Sequence, residues 1–163
     1  MKEVSFRFYD KTLSKEILPL MYDILHSNMS RIAPTGNSYD EDMLQWMSFM
    51  ESAPTDGQQI ILMYVDAFLA GYFQYRLNND TMIIEEIEIK PEHQRTSLFY
   101  RFFKYAVCIV PEDIAFVEAY INKHNSNSQA IARKLGMQII GENKNGSSWH
   151  LRGEVKEFTR RFA

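Results

Sequence analysis

Three carboxylates stand close together in the stretch Ile84-Glu85-Glu86-Ile87-Glu88-Ile89. Side chains alternate along an extended chain, so Glu85 shares a face with Ile87 and Ile89, and Glu86 shares the other with Glu88. A carboxylate whose pKa is raised by burial can take the proton that a nucleophile gives up as it attacks. The competing reading makes all three solvated or ion-paired edge charges. Just downstream, Pro91 ends the strand, and Gln94-Arg95-Thr96-Ser97-Leu98-Phe99 leads into an apolar periodic segment. A loop that follows a strand and opens a helix presents unpaired N–H groups and the positive end of a helix dipole, which suits a phosphate. Arg95 and Arg101 would add charge there, or else lie solvated on the surface.

Other reactive residue types carry less. The one cysteine, Cys108, sits in an apolar run, Tyr105-Ala106-Val107-Cys108-Ile109-Val110, and reads as a small buried hydrophobe. A lone cysteine also excludes an intramolecular disulfide framework. His93 and His150 have no Cys, His or acidic partner at metal-ligand spacing, so no metal site is expected. His124 reads as a surface histidine in a loop. The net charge is −3 and no basic run is long enough for nucleic acid. No apolar run approaches the roughly 20 residues of a membrane span, and no secretory leader is evident. A soluble cytoplasmic protein is the expectation.

The elements that must position these residues follow from hydrophobic period. The 163 residues, 45% hydrophobic with 11 Phe and 9 Tyr, suit a single domain, 1–163, with a sizeable core. Residues 4–9 read as a strand. Leu13, Ile17, Leu20, Met21, Ile24 and Leu25 recur at helical spacing. A loop over 29–37 follows, then a second helix using Met43, Leu44, Met47 and Met50, capped by Ser38 or Asp40. Segments 59–65, 68–75 and Thr81–Ile89 read as three strands of a meander, turning at Asp66-Ala67 and Asn78-Asn79-Asp80. Leu98, Phe99, Phe102, Phe103 and Ala106 mark an amphipathic helix, which assigns Phe99 to the core. Residues 116–121 form a strand, and Ser128, Ile131, Ala132 and Leu135 a helix stopped by Gly136. Residues 137–142 and 148–152 form a hairpin across Asn143-Lys144-Asn145-Gly146, with Asn-Gly as the turn signal. The order β-α-α-β-β-β-α-β-α-β-β is that of an α+β (mixed α/β) domain around one mixed sheet.

That order, with two segments, resembles the GNAT superfamily of acyl-CoA-dependent N-acetyltransferases. Residues 84–94 resemble the family's central strand, its proline and the start of its CoA pyrophosphate loop. The family continues Gln/Arg-x-x-Gly-x-Gly/Ala; here Gln94 fits, while Ser97 and Phe99 replace the glycines. Residues 125–137 resemble the later motif: Asn125, Ser128, Ile131 and Gly136 fit, Met137 replaces a Phe, and Ala132 stands where many members carry a Tyr.

The resemblance implies a mostly antiparallel central sheet with helices on both faces. It also implies acetyl transfer from acetyl-CoA to a primary amine of a small molecule or peptide by direct attack on the thioester. Cofactor contacts would fall to Ile87, Glu88 and Ile89 along the strand, to Gln94, Arg95, Thr96, Ser97, Leu98 and Phe99 in the loop, and to Asn125 and Ser128. The competing role for Asn125 is in the helix N-cap, which Ser126 or Asn127 could supply equally well. Glu85 is the first candidate base, Glu86 the second, and Tyr120 a candidate acid for the departing thiolate; packed aromatic is its competing role. A backbone N–H near Ile87 would polarise the thioester carbonyl. The acceptor would meet residues 28–46 and the last hairpin; Tyr39, Asp40, Asp42 and Trp46 suit a cation. Expected partners are acetyl-CoA and an amine, with a homodimer left open. Two alternatives stay beside this reading: an acetyl-CoA-binding sensor or partner-binding domain with little turnover, and a non-enzymatic interaction domain.

Overall fold

The computed structural model describes residues 2–162. Its strands are β1 (Val4–Phe8), β2 (Gln58–Val65), β3 (Phe68–Asn78), β4 (Thr81–Ile89), β5 (Phe116–Asn122), β6 (Gln138–Glu142) and β7 (Ser148–Glu154). Its helices are α1 (Ser14–Met29), α2 (Tyr39–Met50), α3 (Leu98–Cys108), α4 (Ser126–Lys134) and α5 (Val155–Phe162). The strands form one mixed sheet in the order β1-β2-β3-β4-β5-β7-β6. Pairs β1–β2, β5–β7 and β6–β7 are antiparallel, and β4–β5 is parallel. The α+β expectation and the strand order hold.

The chain makes two compact units. One runs to Gln74 and takes in Glu86–Phe99; the other holds Tyr75–Glu85 and the residues from Tyr100 onward. The chain crosses from one to the other within β3, β4 and α3.

In the first unit, α1 buries Ile17, Leu18, Met21, Tyr22 and Ile24. Ile17, Met21 and Ile24 are the stripe its spacing predicts, with Leu25 partly buried beside them. Leu13, which precedes the helix, and Leu20, which lies off the stripe, are about half exposed, and Leu18 and Tyr22 take the inward places. These pack with Tyr9, Met50, Ala53, Ile60, Leu62, Leu69 and Tyr72. Of the two caps proposed for α2, Ser38 is the one used: its hydroxyl accepts from the Glu41 N–H, and Glu41 reaches back to the Ser38 N–H, a reciprocal capping box. The inward stripe of α2 is Trp46, Met47 and Met50. Leu44, read as part of that stripe, is 65% exposed, because it lies a residue off the helical repeat that Met43, Met47 and Met50 keep.

In the second unit, α3 buries Phe102, Phe103, Ala106 and Val107. Cys108, expected inside, is exposed, because the buried stripe ends one residue earlier. The chain also ends in a helix that the sequence reading did not contain. Phe158 of α5 is fully buried, its ring 5.3 Å from that of Phe103, and the Arg161 guanidinium donates to the Lys134 carbonyl at the end of α4. Val155, Phe158 and Phe162 recur at helical spacing, a signal carried over only eight residues; a long-range aromatic contact and a basic side chain on a helix C-terminus hold the segment in place.

The feature that matters for the site is where pairing stops. The β4–β5 register runs from Thr81↔Phe116 to Ile84↔Ala119. Beyond that pair β4 continues to Ile89, and β5 continues to Asn122 against β7.

Candidate active site

The second half of β4 lies close against β3. The Lys90 N–H donates to the Ala70 carbonyl at 2.8 Å, so it faces β3. At Gly71 a Cβ would stand 2.6 Å from the Glu88 carbonyl oxygen and 3.3 Å from Ile89, so only glycine admits this approach. The Ile89–Lys90 peptide is trans, which turns the Ile89 carbonyl away from β3. By alternation, the N–H groups of Ile87 and Ile89 point to that same edge, past the last β5 pair. A strand edge beyond its ladder is the kind of backbone that an extended amide-bearing ligand can pair with.

Glu88 is the most buried of the three carboxylates, 9% exposed. Desolvation pushes its pKa up to about 8; the Asn28 hydrogen bond opposes that rise and the charge of Glu86 adds to it. The Asn28 side-chain Nδ2 donates to Glu88 Oε2 at 2.7 Å and to the Ile89 carbonyl at 2.9 Å. Gln94 Nε2 donates to Asn28 Oδ1 at 2.8 Å and to the same Ile89 carbonyl at 2.9 Å. Glu86 accepts from the Tyr72 hydroxyl at 2.7 Å. Tyr72 is fully buried, and that burial, with the charges of Glu86 and Glu88, holds its phenol well above its ordinary pKa.

The other candidates are placed as follows. Glu85 belongs to the second unit and forms an ion pair with Arg76 Nε at 3.1 Å. Tyr120 is half exposed, its ring stacked on His150 at 4.4 Å. His150 in turn contacts Glu118 at 2.9 Å. Asn125 caps α4, accepting from the Ser128 N–H at 3.1 Å, so these two expected cofactor residues engage each other. In the loop, Thr96 donates to the His93 carbonyl at 2.6 Å and accepts from the Leu98 N–H at 3.2 Å at the start of α3. Arg95 has φ +60°, while Ser97 and Phe99 keep ordinary negative φ. The residue in a glycine-like conformation is therefore Arg95, and neither position that departs from the glycine pattern demands glycine for its backbone. Arg95 and Ser97 are exposed, and Phe99 is half-buried.

Of the suspected acceptor residues, Tyr39 and Trp46 join Tyr22 and His26 in an aromatic group in the first unit, and Asp40 is exposed. Tyr22 lies 5.2 Å from Tyr39 and 5.6 Å from Trp46, and His26 lies 4.8 Å from Tyr39. The Tyr39 hydroxyl donates to Asp23, which raises its pKa to about 12. Asp42 accepts from Thr35 and Asn37, and those bonds hold its pKa low. Among the described residues no group of three or more His, Cys, Asp or Glu could hold a metal, and no helix is long and apolar enough to cross a membrane.

Sequence reasoning had Asn28 only as the first residue of the acceptor segment 28–46, without its contact to Glu88, and missed Tyr72. Neither carries a local signal: Asn28 closes an ordinary amphipathic helix, and Tyr72 sits in an apolar strand. Only contact across 60 residues and 14 residues of chain brings them to β4.

No protein-family model matches the sequence, and no curated protein matches it significantly. Solved structures do match in shape. The PaiA N-acetyltransferase from Thermoplasma acidophilum, in complex with coenzyme A, superposes with a TM-score of 0.72 at 13% identity, covering 93% of this chain and 99% of that one. An acetyltransferase from Thermus thermophilus gives 0.74 at 12% identity, covering 93% and 96%. A variant of the spermidine N-acetyltransferase SpeG from Vibrio cholerae gives 0.65 at 12% identity, covering 98% of each chain. The chain has the fold of the GNAT N-acetyltransferases.

Proposed function

From the GNAT fold as premise, we propose that the protein transfers an acetyl group from acetyl-CoA to a primary amine of a small molecule or peptide. The observation that carries this reading is the end of β4: a strand edge past its ladder, with a buried carboxylate of raised pKa beside it. The pantetheine arm pairs with the edge at Ile87 and Ile89, and the pyrophosphate meets the backbone of the Gln94–Phe99 loop, with Arg95 as a counter-charge. The glycines that the resemblance led one to look for are not required for this. The donors are backbone amides, and only Arg95 needs a left-handed φ.

The amine nitrogen attacks the thioester carbonyl carbon and the C–S bond breaks. The proton lost from nitrogen passes, through water, to a carboxylate, and the leaving thiolate takes a proton from solvent. An N–H at Ile87 or Ile89 stabilises the oxyanion. Among the candidate bases Glu88 fits best. Glu85 pairs with Arg76 and Glu86 accepts from Tyr72, whereas Glu88 is desolvated and its carboxylate accepts from a neutral amide, with the Glu86 charge adding to the rise in its pKa. Asp23, Asp42 and the Tyr22–Tyr39–Trp46 group suit a cationic acceptor.

Titration with acetyl-CoA tests the first step. Stabilisation against heat that saturates below millimolar ligand is expected, and no shift at millimolar ligand would remove the reading. Release of free thiol against a panel of amines tests the second. A buried Ala132 where many members carry a tyrosine favours one alternative, a binding domain without turnover; saturable binding with no thiol released for any amine would select it.

A further inference from the structure

Two side-chain amides, through four N–H bonds, tie Glu88, the Ile89 carbonyl and each other together at the end of β4. Asn28 Nδ2 spends both of its hydrogens, one on Glu88 Oε2 and one on the Ile89 carbonyl. Gln94 Nε2 spends both of its own, one on Asn28 Oδ1 and one on the same carbonyl. The Ile89 carbonyl thus has both lone pairs filled by side chains instead of by a neighbouring strand. A backbone carbonyl can only accept, so it dictates which way both amides face. Turning either one would set oxygen against oxygen, whatever the charge on Glu88.

We propose that Asn28 is a positioning residue for acetyl transfer: one amide, held by Gln94, fixes the Glu88 carboxyl and closes the carbonyl at the end of the open β4 edge. The proposal rests on the acetyl-transfer reading above. It goes beyond that reading by giving α1 a part in the chemistry and by giving Gln94 a task other than contact with phosphate. Three consequences follow from the geometry. The open edge of β4 ends in donors, the N–H groups of Ile87 and Ile89, with its last acceptor withdrawn. The Gln94 side chain ties the start of the loop to the strand, so loop and carboxyl share one set of hydrogen bonds. The N–H that Asn28 gives to Glu88 favours the ionised carboxylate, the form that can accept a proton. Opposing it are Glu86 on the same strand and burial itself; β3 contributes the Tyr72 phenol, and α1 contributes the neutral Asn28. An aspartate at position 28 would fail on both counts, since it would bring a second negative charge to Glu88 and offer the Ile89 carbonyl no donor.

The test uses two variants and two readouts. The first readout is the carboxyl 13C titration of glutamate-labelled protein, with Glu88→Gln to assign the Glu88 resonance; it needs no activity. Asn28→Ala is expected to move the Glu88 midpoint up by about one pH unit, a tenfold change in its proton affinity. Gln94→Met, which removes Asn28's holder and leaves the carboxyl's own contact, is expected to move it in the same direction by roughly half that. The second readout is the pH profile of thiol release. Its acidic limb should move by the same amounts, with kcat falling about tenfold in Asn28→Ala and the KM for acetyl-CoA within about threefold of the parent. If the Glu88 midpoint is unmoved in both variants, or in Gln94→Met where Asn28→Ala does not fold, the proposal is overturned. If the parent protein releases no thiol with any amine, the acetyl-transfer reading fails, and the 13C titration still decides whether the clamp sets the carboxyl.

Discussion

The two halves of β4 each carry isoleucine and glutamate and have opposite environments. The first half is paired with β5 from Thr81 to Ile84, and the glutamate that follows, Glu85, meets an arginine from β3, with a quarter of its side chain exposed. The second half, Glu86 to Ile89, has left the β5 ladder, lies against Gly71, and holds Glu88 buried against a neutral amide. An arginine partner stabilises the charged form of a carboxylate; burial beside a neutral donor leaves it ready to hold a proton near neutral pH. Residue type alone does not distinguish a structural glutamate from a reactive one. Loss of the ladder and the identity of the partner do.

Several substitutions test this contrast, the largest effect first. Glu88 has its folded pKa raised to about 8 from 4.5, so the folded state binds the extra proton between those values. The stabilisation this gives is complete below about pH 4.5 and is lost as pH rises through about 8. At about 1.4 kcal/mol per unit, unfolding free energy should fall by roughly 4 kcal/mol between pH 5 and 9 from this group alone. Urea titrations at both pH values should show the fall in the parent and its removal in Glu88→Gln; an equal fall in both would assign the loss elsewhere. Next, Gly71→Ala puts a methyl group into the Glu88 carbonyl and should cost about 2 kcal/mol, read from the urea midpoint. Unchanged stability would mean that the close approach of β3 and β4 is dispensable. Smallest, Arg76→Ala removes the partner of Glu85. An ion pair with its arginine side chain 41% exposed should cost under about 1 kcal/mol and leave thiol release near the parent rate. A loss of more than about tenfold in rate would instead make Glu85 the carboxylate that matters.

Most of the architecture is legible because it depends on local rules. Helical spacing in α1 and α3, the Ser38–Glu41 capping box, and the hairpin turn at Asn145-Gly146 are all written within a few residues. Strand alternation placed Glu86 and Glu88 on one face, and it is here that local rules stop informing. Glu88 and Ile89 are adjacent and both buried, so at the end of β4 both faces are covered and alternation no longer ranks the carboxylates. What separates Glu85 from Glu88 is Arg76 in one case and Asn28 in the other, the latter 60 residues away. A pKa is a property of such long-range company. The packing of α5 is also long-range, since Phe158 meets Phe103, and the α4 cap falls to Asn125 where Ser126 or Asn127 would have served equally well by sequence.

The central claim, that the end of β4 is the edge on which acetyl-CoA lies, is tested most directly by amide hydrogen exchange at Ile87 and Ile89, with and without acetyl-CoA. The account predicts that both N–H groups exchange readily in the free protein and are slowed at least about tenfold when ligand saturates, while the β5-paired Thr81–Ile84 stretch changes little. Protection that appears elsewhere in the chain and leaves Ile87 and Ile89 unchanged would contradict it.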